Sequence, residues 1–193
     1  MQRHLPLAIA LLVLPAAAIA DTDIAAETTQ ARQTAGQLVQ QTGAALKKEL
    51  AATGPEGAIG VCRQVAPDIA GQLSRSTGSR VARVSLKVRN ATLGHPDAWE
   101  QEVLAEFDRR AAAGEKPETL ERAEVVTEPA GKFFRFMKAI PVQPMCLSCH
   151  GTAETIPANV AAKLATEYPR GRATGYRAGE IRGAVTVKKP LAE

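Results

Sequence analysis

Cys146-Leu147-Ser148-Cys149-His150 is the stretch of this chain whose residue types and spacing could do the most chemistry. Two thiols separated by two residues can each add across one vinyl group on the same edge of a porphyrin. The histidine next in line is then carried under the ring, where one imidazole nitrogen can bind iron. The stretch reads as the attachment site of one covalent haem c, with His150 as the proximal ligand. Two other chemistries use similar residues. A thioredoxin-like dithiol would have the pair opening a helix after a strand of a βαβ unit, whereas Pro141, Pro144 and Gly151 around this pair predict a loop. A zinc site would draw on Cys62, Cys146, Cys149 and His150, but the adjacency of Cys149 and His150 strains a tetrahedron.

With His150 on one face, the other face of the iron needs a ligand or stays open. His4 and Met1 lie in the first twenty residues, and Met145 adjoins the attachment site. Met137 fits core packing and His95 sits in a turn before Pro96. Cys62 is preferred. It lies on an apolar stripe beside Pro67, where a kink could bring its thiolate to the ring, although a free cysteine also serves as a small buried hydrophobe. A thiolate ligand would favour ferric iron and lower the reduction potential, so reduction could release Cys62 and alter its helix. Arg83, Lys87 and Arg89 alternate along one predicted strand face and could meet the haem propionates, or simply form a solvated face. Tyr176 could line the pocket or anchor its loop.

The start of the chain agrees with a covalently held haem. Arg3 and His4 are followed by an apolar run, Leu5 to Leu14, and by Ala18-Ile19-Ala20, an A-x-A cleavage signal. Residues 1–20 therefore read as a signal peptide and 21–193 as one domain. The apolar run falls short of the about 20 residues needed to cross a bilayer. The expected destination is a bacterial periplasm. Basic and acidic residues number 24 and 20, an excess too small to argue for nucleic acid. With three cysteines, two on haem leave Cys62 over, and an odd cysteine in an exported chain is worth marking.

The remaining pattern must position these groups. Ala31, Ala35, Leu38, Thr42, Ala45 and Leu46 recur at helical steps, so the spacing predicts one helix over Thr22 to Ala52, and Thr53-Gly54-Pro55 ends it. Ala58, Ile59, Cys62, Val65, Ile69 and Leu73 form a second helical stripe, kinked at Pro67. Arg80 to Arg89 alternates as a half-buried strand. A third helix starts at Pro96, with Asp97 and Glu100 in its first turn and Trp99, Val103, Phe107 and Ala111 facing inward. Leu120 to Thr127 and Lys132 to Ile140 predict strands joined by the turn Glu128-Pro129-Ala130-Gly131. Pro157 starts a short helix, and Ile181 to Lys188 predicts a last strand. Hairpin connections favour an antiparallel sheet, giving an α+β domain with long N-terminal helices and the attachment loop near its C-terminus.

Taken together, these residues resemble a family of single-haem c-type proteins built on a PAS-like domain. A similar domain serves as the extracytoplasmic sensing part of some bacterial signalling receptors. The resemblance is carried by Cys62 with Ala66-Pro67, by Ser85-Leu86-Lys87-Val88-Arg89-Asn90 and by Pro96-Asp97-Ala98-Trp99-Glu100. It continues through the Cys146–His150 segment, Tyr168-Pro169, Gly175-Tyr176 and Gly179-Glu180-Ile181-Arg182-Gly183. Ala91 stands where the family pattern has proline, and Gly171 where it has an acidic residue. The resemblance implies a PAS-like antiparallel sheet, and it points to Cys62 as the distal ligand. It also favours a redox or small-ligand sensor over the alternative, a periplasmic electron-transfer cytochrome c. An enzyme is not expected, because a filled sixth position blocks substrate at iron. The partner would be a separate redox or signalling protein, and the N-terminal helix could pair two copies as a homodimer.

Overall fold

The computed structural model describes residues 17–191. Most of the expected signal peptide, residues 1–20, lies outside that range. Helix α1 (Ala17–Gly57) breaks at Gly54, where φ is 73° and ψ is −175°. A side chain is disfavoured at that φ, and Pro55 is suited to begin the next turn, so Thr53-Gly54-Pro55 interrupts the helix as its composition predicts.

A π-helical turn, Val61–Val65, leads into α2 (Ala66–Thr77), where Pro67 occupies the first turn. The kink expected inside one longer helix is thus a widened turn just before the proline. Pro67 has no N–H to give the Arg63 carbonyl, and the chain shifts to an i→i−5 register in which Ala66 N–H bonds to Val61 O. Cys62 sits on this widened turn. Arg63 beside it forms an ion pair with Glu167 of α5 (Ala158–Glu167).

The strands are β1 (Arg80–Val84), β2 (Glu121–Glu128), β3 (Gly131–Pro141) and β4 (Ile181–Pro190). They form one sheet in the order β1-β4-β3-β2, and every pairing is antiparallel. Helices cover both faces. Ala31, Ala35 and Leu38 of α1 and Ile69 and Leu73 of α2 pack on Val81, Phe134, Phe136, Val185 and Val187. Helix α3 (Ala98–Ala112) packs Val103, Leu104 and Phe107 on Val84, Leu120, Met137, Ala139 and Ala184. Asp97 and Glu100 cap α3 reciprocally: the Asp97 side chain accepts from Glu100 N, and Glu100 accepts from Asp97 N, each at 2.9 Å. The fold class is α+β, as the pattern predicts.

Two local expectations are corrected. The strand predicted over Arg80 to Arg89 ends at Val84. Ser85 N turns to Gly94 O at 3.2 Å and its hydroxyl lies 2.8 Å from Arg182 O, so the backbone leaves the sheet there. Alternation fails beyond that point, and Leu86, expected inward, is 42% exposed. The attachment loop is instead a 3-10 turn, Pro144–Cys146, running into one helical turn, α4 (Leu147–His150). Pro144 is suited to start such a turn, and Cys146 N→Gln143 O and Gly151 N→Leu147 O, both 2.9 Å, close it.

Candidate cofactor site

Cys146 and Cys149 stand three residues apart on the helical turn formed by the 3-10 segment and α4, a spacing that places two side chains on one face. Both thiols are free and half-buried. Cys146 packs with Val142, Ala173 and Tyr176, and Cys149 with Ile59, Val160, Leu164 and Tyr168. Burial first, then the nearby Cys62, push the Cys149 thiol up to about 11, against the pull of Arg89. A redox dithiol wants a parallel βαβ setting. The antiparallel pairings count against that alternative. Among the described residues no three of His, Cys, Asp and Glu are grouped to hold a metal ion, which counts against the four-ligand zinc alternative.

His150 closes the turn. Its Nδ1 lies 2.7 Å from Ala173 O, an acceptor only, and 3.2 Å from Arg89 Nη2, a donor that also serves Ala173 O; the shorter contact puts the proton on Nδ1 and leaves Nε2 its lone pair. Burial, then the charges of Arg182, Arg89 and Arg83, hold the imidazole well below its ordinary range and therefore neutral, against the pull of the Ala173 hydrogen bond. A neutral ring with one nitrogen fixed to a backbone carbonyl is the form in which histidine ligates a metal. Backbone bonds fix the surroundings: Tyr176 N→His150 O at 3.0 Å, Gly175 N→Gly151 O at 2.7 Å and Arg172 N→Val88 O at 2.7 Å. Three separated stretches, 85–90, 146–151 and 172–177, are thereby joined. Gly171 belongs to this junction. A Cβ there would stand 2.9 Å from Arg89 O and 3.1 Å from Tyr168 Cβ, so the acidic residue of the family pattern would crowd this packing.

Arg89 reaches inward from that junction. Its Nη2 donates to Cys149 O at 2.5 Å and to Ala173 O at 2.8 Å, clamping the peptide that carries His150. Among the described residues its Nε is buried without a partner. Lys87 is exposed, with Nζ 4.7 Å from the Tyr176 ring centre. Tyr176 is buried and stands edge-on to His150, with ring centres 6.4 Å apart. Tyr176 and Lys87 also line a cleft of about 740 Å³ beside Leu104 and Asp108 of α3. Arg83 is half-buried and close enough for its charge to act on His150 and Arg182. Cys62 is half-buried too and lies within electrostatic reach of Cys149, Arg89, Arg182 and Tyr168. Of the other residues weighed as distal ligands, Met137 is fully buried in the α3 side of the core and His95 is exposed in its turn.

Sequence reasoning missed the chemistry of Arg182. Its Nε lies 3.5 Å from His150 Nε2, and its Nη1 donates to Ser85 Oγ at 2.9 Å. A visible signal was present: Arg182 is the one charged residue in the otherwise small or apolar start of β4, Ile181 to Val185.

These residues fit a covalently bound haem. They supply two free thiols on one turn, a neutral imidazole with an unprotonated Nε2, apolar packing around both thiols, and cations without carboxylate partners to receive propionates. Among the described residues Arg83, Lys87, Arg89 and Arg182 join none of the ion pairs.

Comparison with known proteins gives two findings. A family model described as Tll0287-like matches residues 15–190. Among solved structures, the chain resembles one described as the cyanobacterial heme-protein Tll0287, with a TM-score of 0.64 and 23% identity over 86% of this chain and 96% of that one. At that identity the likeness concerns the fold. No curated protein matches.

Proposed function

The chain belongs to the Tll0287-like family, and we propose that it is an exported c-type haem protein acting as a redox or small-ligand sensor. Cys146 and Cys149 would carry the two thioether bonds, His150 Nε2 the proximal iron bond and Cys62 Sγ the distal one. The observation that carries this reading is the single turn Cys146–His150, which pairs two free thiols at i and i+3 with a neutral imidazole whose Nδ1 is already engaged. The description of the structural neighbour as a heme-protein supports the choice of cofactor. The leader-like residues 1–20 support export to a periplasm, where thioether attachment is expected.

A bound haem c would supply a one-electron couple at iron. The chain's own residues do the rest. Ala173 O and Arg89 fix the ring and the peptide of His150. Arg83 and Lys87 offer cations to the propionates, and Tyr176 walls the site beside His150. Cys62 sits on a π-helical turn, a feature frequent at functional sites, so whatever its thiol holds would act directly on the junction between α1 and α2. That junction is the mobile part of the sensing hypothesis. If His150 and Cys62 both hold the iron, they would leave no place there for a substrate, and the reading includes no enzymatic turnover.

One observation favours electron transfer as a second reading. Lys87, Arg170, Arg172 and Arg177 are exposed around the site and take part in no ion pair among the described residues, a surface suited to an acidic redox partner. Replacing Cys62→Ala tests the sensor reading at its first step. The ferric spectrum is expected to lose its low-spin thiolate signature. An unchanged low-spin spectrum removes Cys62 from the iron and the ligand switch with it.

A further inference from the structure

We propose that Arg182 is a positioning residue: it caps the iron-facing nitrogen of His150 until the cofactor is in place, and thereafter serves as a carboxylate-binding cation at the same site. The second half rests on the haem reading above; the first half stands on the chain alone.

The two ring nitrogens of His150 are treated differently. Nδ1 is satisfied by Ala173 O at 2.7 Å. Nε2, an acceptor, faces Arg182, whose Nε–H approaches to 3.5 Å. Such a long bond to a neutral acceptor is weak. Arginine is a cation here as elsewhere, and Arg89 and Arg83 are its like-charged neighbours. A half-buried guanidinium among like charges, with no carboxylate partner among the described residues, is an incomplete arrangement. A carboxylate would complete it, and a haem carries two.

Arg182 is the arginine that faces Nε2, and it has donors to spare. Arg89 already commits Nη2 to the carbonyls of Cys149 and Ala173. Arg182 keeps only Nη1 engaged firmly, on Ser85 Oγ at 2.9 Å, with Lys87 O more distant at 3.4 Å. That tether holds the guanidinium at the site when Nε2 is taken by iron, and it leaves Nε and Nη2 for an anion. The planar fork is matched to a carboxylate in a way lysine is not.

The test uses the full chain in two forms, unloaded from a host without cytochrome c maturation and haem-loaded from one with it, each as wild type, Arg182→Met and Arg182→Lys. In the unloaded chain, nitrogen NMR of the His150 ring is expected to show a protonated Nδ1 and a hydrogen-bonded Nε2. In Arg182→Met the Nε2 signal should move toward that of a free imidazole acceptor, with Arg182→Lys lying between. In the loaded protein, Arg182→Met should lower the midpoint potential, because a cation beside the ring favours the reduced iron, and Arg182→Lys should recover most of the shift. An unchanged Nε2 signal in Arg182→Met, or an unchanged potential, overturns the proposal. If no haem attaches to the wild type, the haem reading fails while the Nε2 signal still decides whether Arg182 is the cap.

Discussion

Two arginines in this protein sit out of bulk water in opposite company. Arg135, on β3, is 2% exposed and surrounded by carboxylates: Asp97 at 2.7 Å, Glu128 at 3.0 Å and the fully buried Glu100 at 3.3 Å. It also lies over the Trp99 ring, 4.4 Å from its centre. Arg182, on β4, is half-buried among Arg83 and Arg89 and has no carboxylate among the described residues. The same side chain is thus used to join α3 to the sheet in one place and is left electrostatically incomplete in the other. A buried charge that the chain neutralises by itself reads as architecture, whereas one that it leaves without a counter-charge reads as a site waiting for an anion.

The contrast can be broken most forcefully at Arg135. Arg135→Ala removes the cation and leaves Glu100 at the α3–sheet junction with Arg80, 2.9 Å away, as its one cationic partner among the described residues, beside the Asp97 N–H it already accepts. Unfolding in urea should show a loss of about 3 kcal/mol or more. A loss below about 1 kcal/mol would mean that the network holds little together.

Acid should act on the same region next. Burial alone would raise the Asp97 carboxyl, but hydrogen bonds from Arg135 and Glu100 N and the Arg135 charge hold it below its ordinary 3.8. Glu128 is held below its ordinary 4.5 by the Lys188 hydrogen bond, with Arg135 assisting. Depressed carboxylates stabilise the fold above their unfolded values, and that contribution is lost as pH falls through the folded ones. The urea midpoint should therefore change little from these two groups between pH 7 and 5 and fall below about pH 4.5. In Arg135→Ala this acid-induced fall should be smaller; an identical fall would detach it from the Arg135 network.

The smallest effect on stability belongs to the other arginine. Arg182→Met in the unloaded chain should change unfolding by less than about 1 kcal/mol, because the lost bonds to Ser85 Oγ, Lys87 O and His150 Nε2 are offset by removal of one of several crowded like charges. A loss as large as that of Arg135→Ala would erase the distinction drawn between the two regions.

Much of this architecture is legible in the sequence, for local reasons. Asp97 and Glu100 stand three apart before an apolar run, and they form the reciprocal cap of α3. Pro129-Ala130 between alternating runs marks the hairpin, and Cys146 to His150 marks the site. What stays hidden depends on contacts between distant stretches. Nothing in Arg80 to Arg89 announces that pairing stops at Val84, since the cause is Ser85 turning to Gly94 O and Arg182 O. Arg89 therefore reads as a member of a basic strand face while it clamps Cys149 O from 60 residues away. Glu100 reads as a capping residue, and its second role beneath Arg135 exists only once β3 lies against α3. Arg182 shows in the sequence as a member of the Gly179 to Gly183 motif and as a lone charge in the start of β4, and its meaning comes from the imidazole 32 residues earlier in the chain.

The central claim is that this chain holds an iron porphyrin through Cys146 and Cys149. The most direct measurement is the reduced absorption spectrum of protein made in a host that matures c-type cytochromes, recorded after denaturation and extraction with acidic organic solvent. The account predicts that haem stays with the polypeptide and that neither thiol reacts with an alkylating reagent. A colourless chain in which both cysteines alkylate would contradict it.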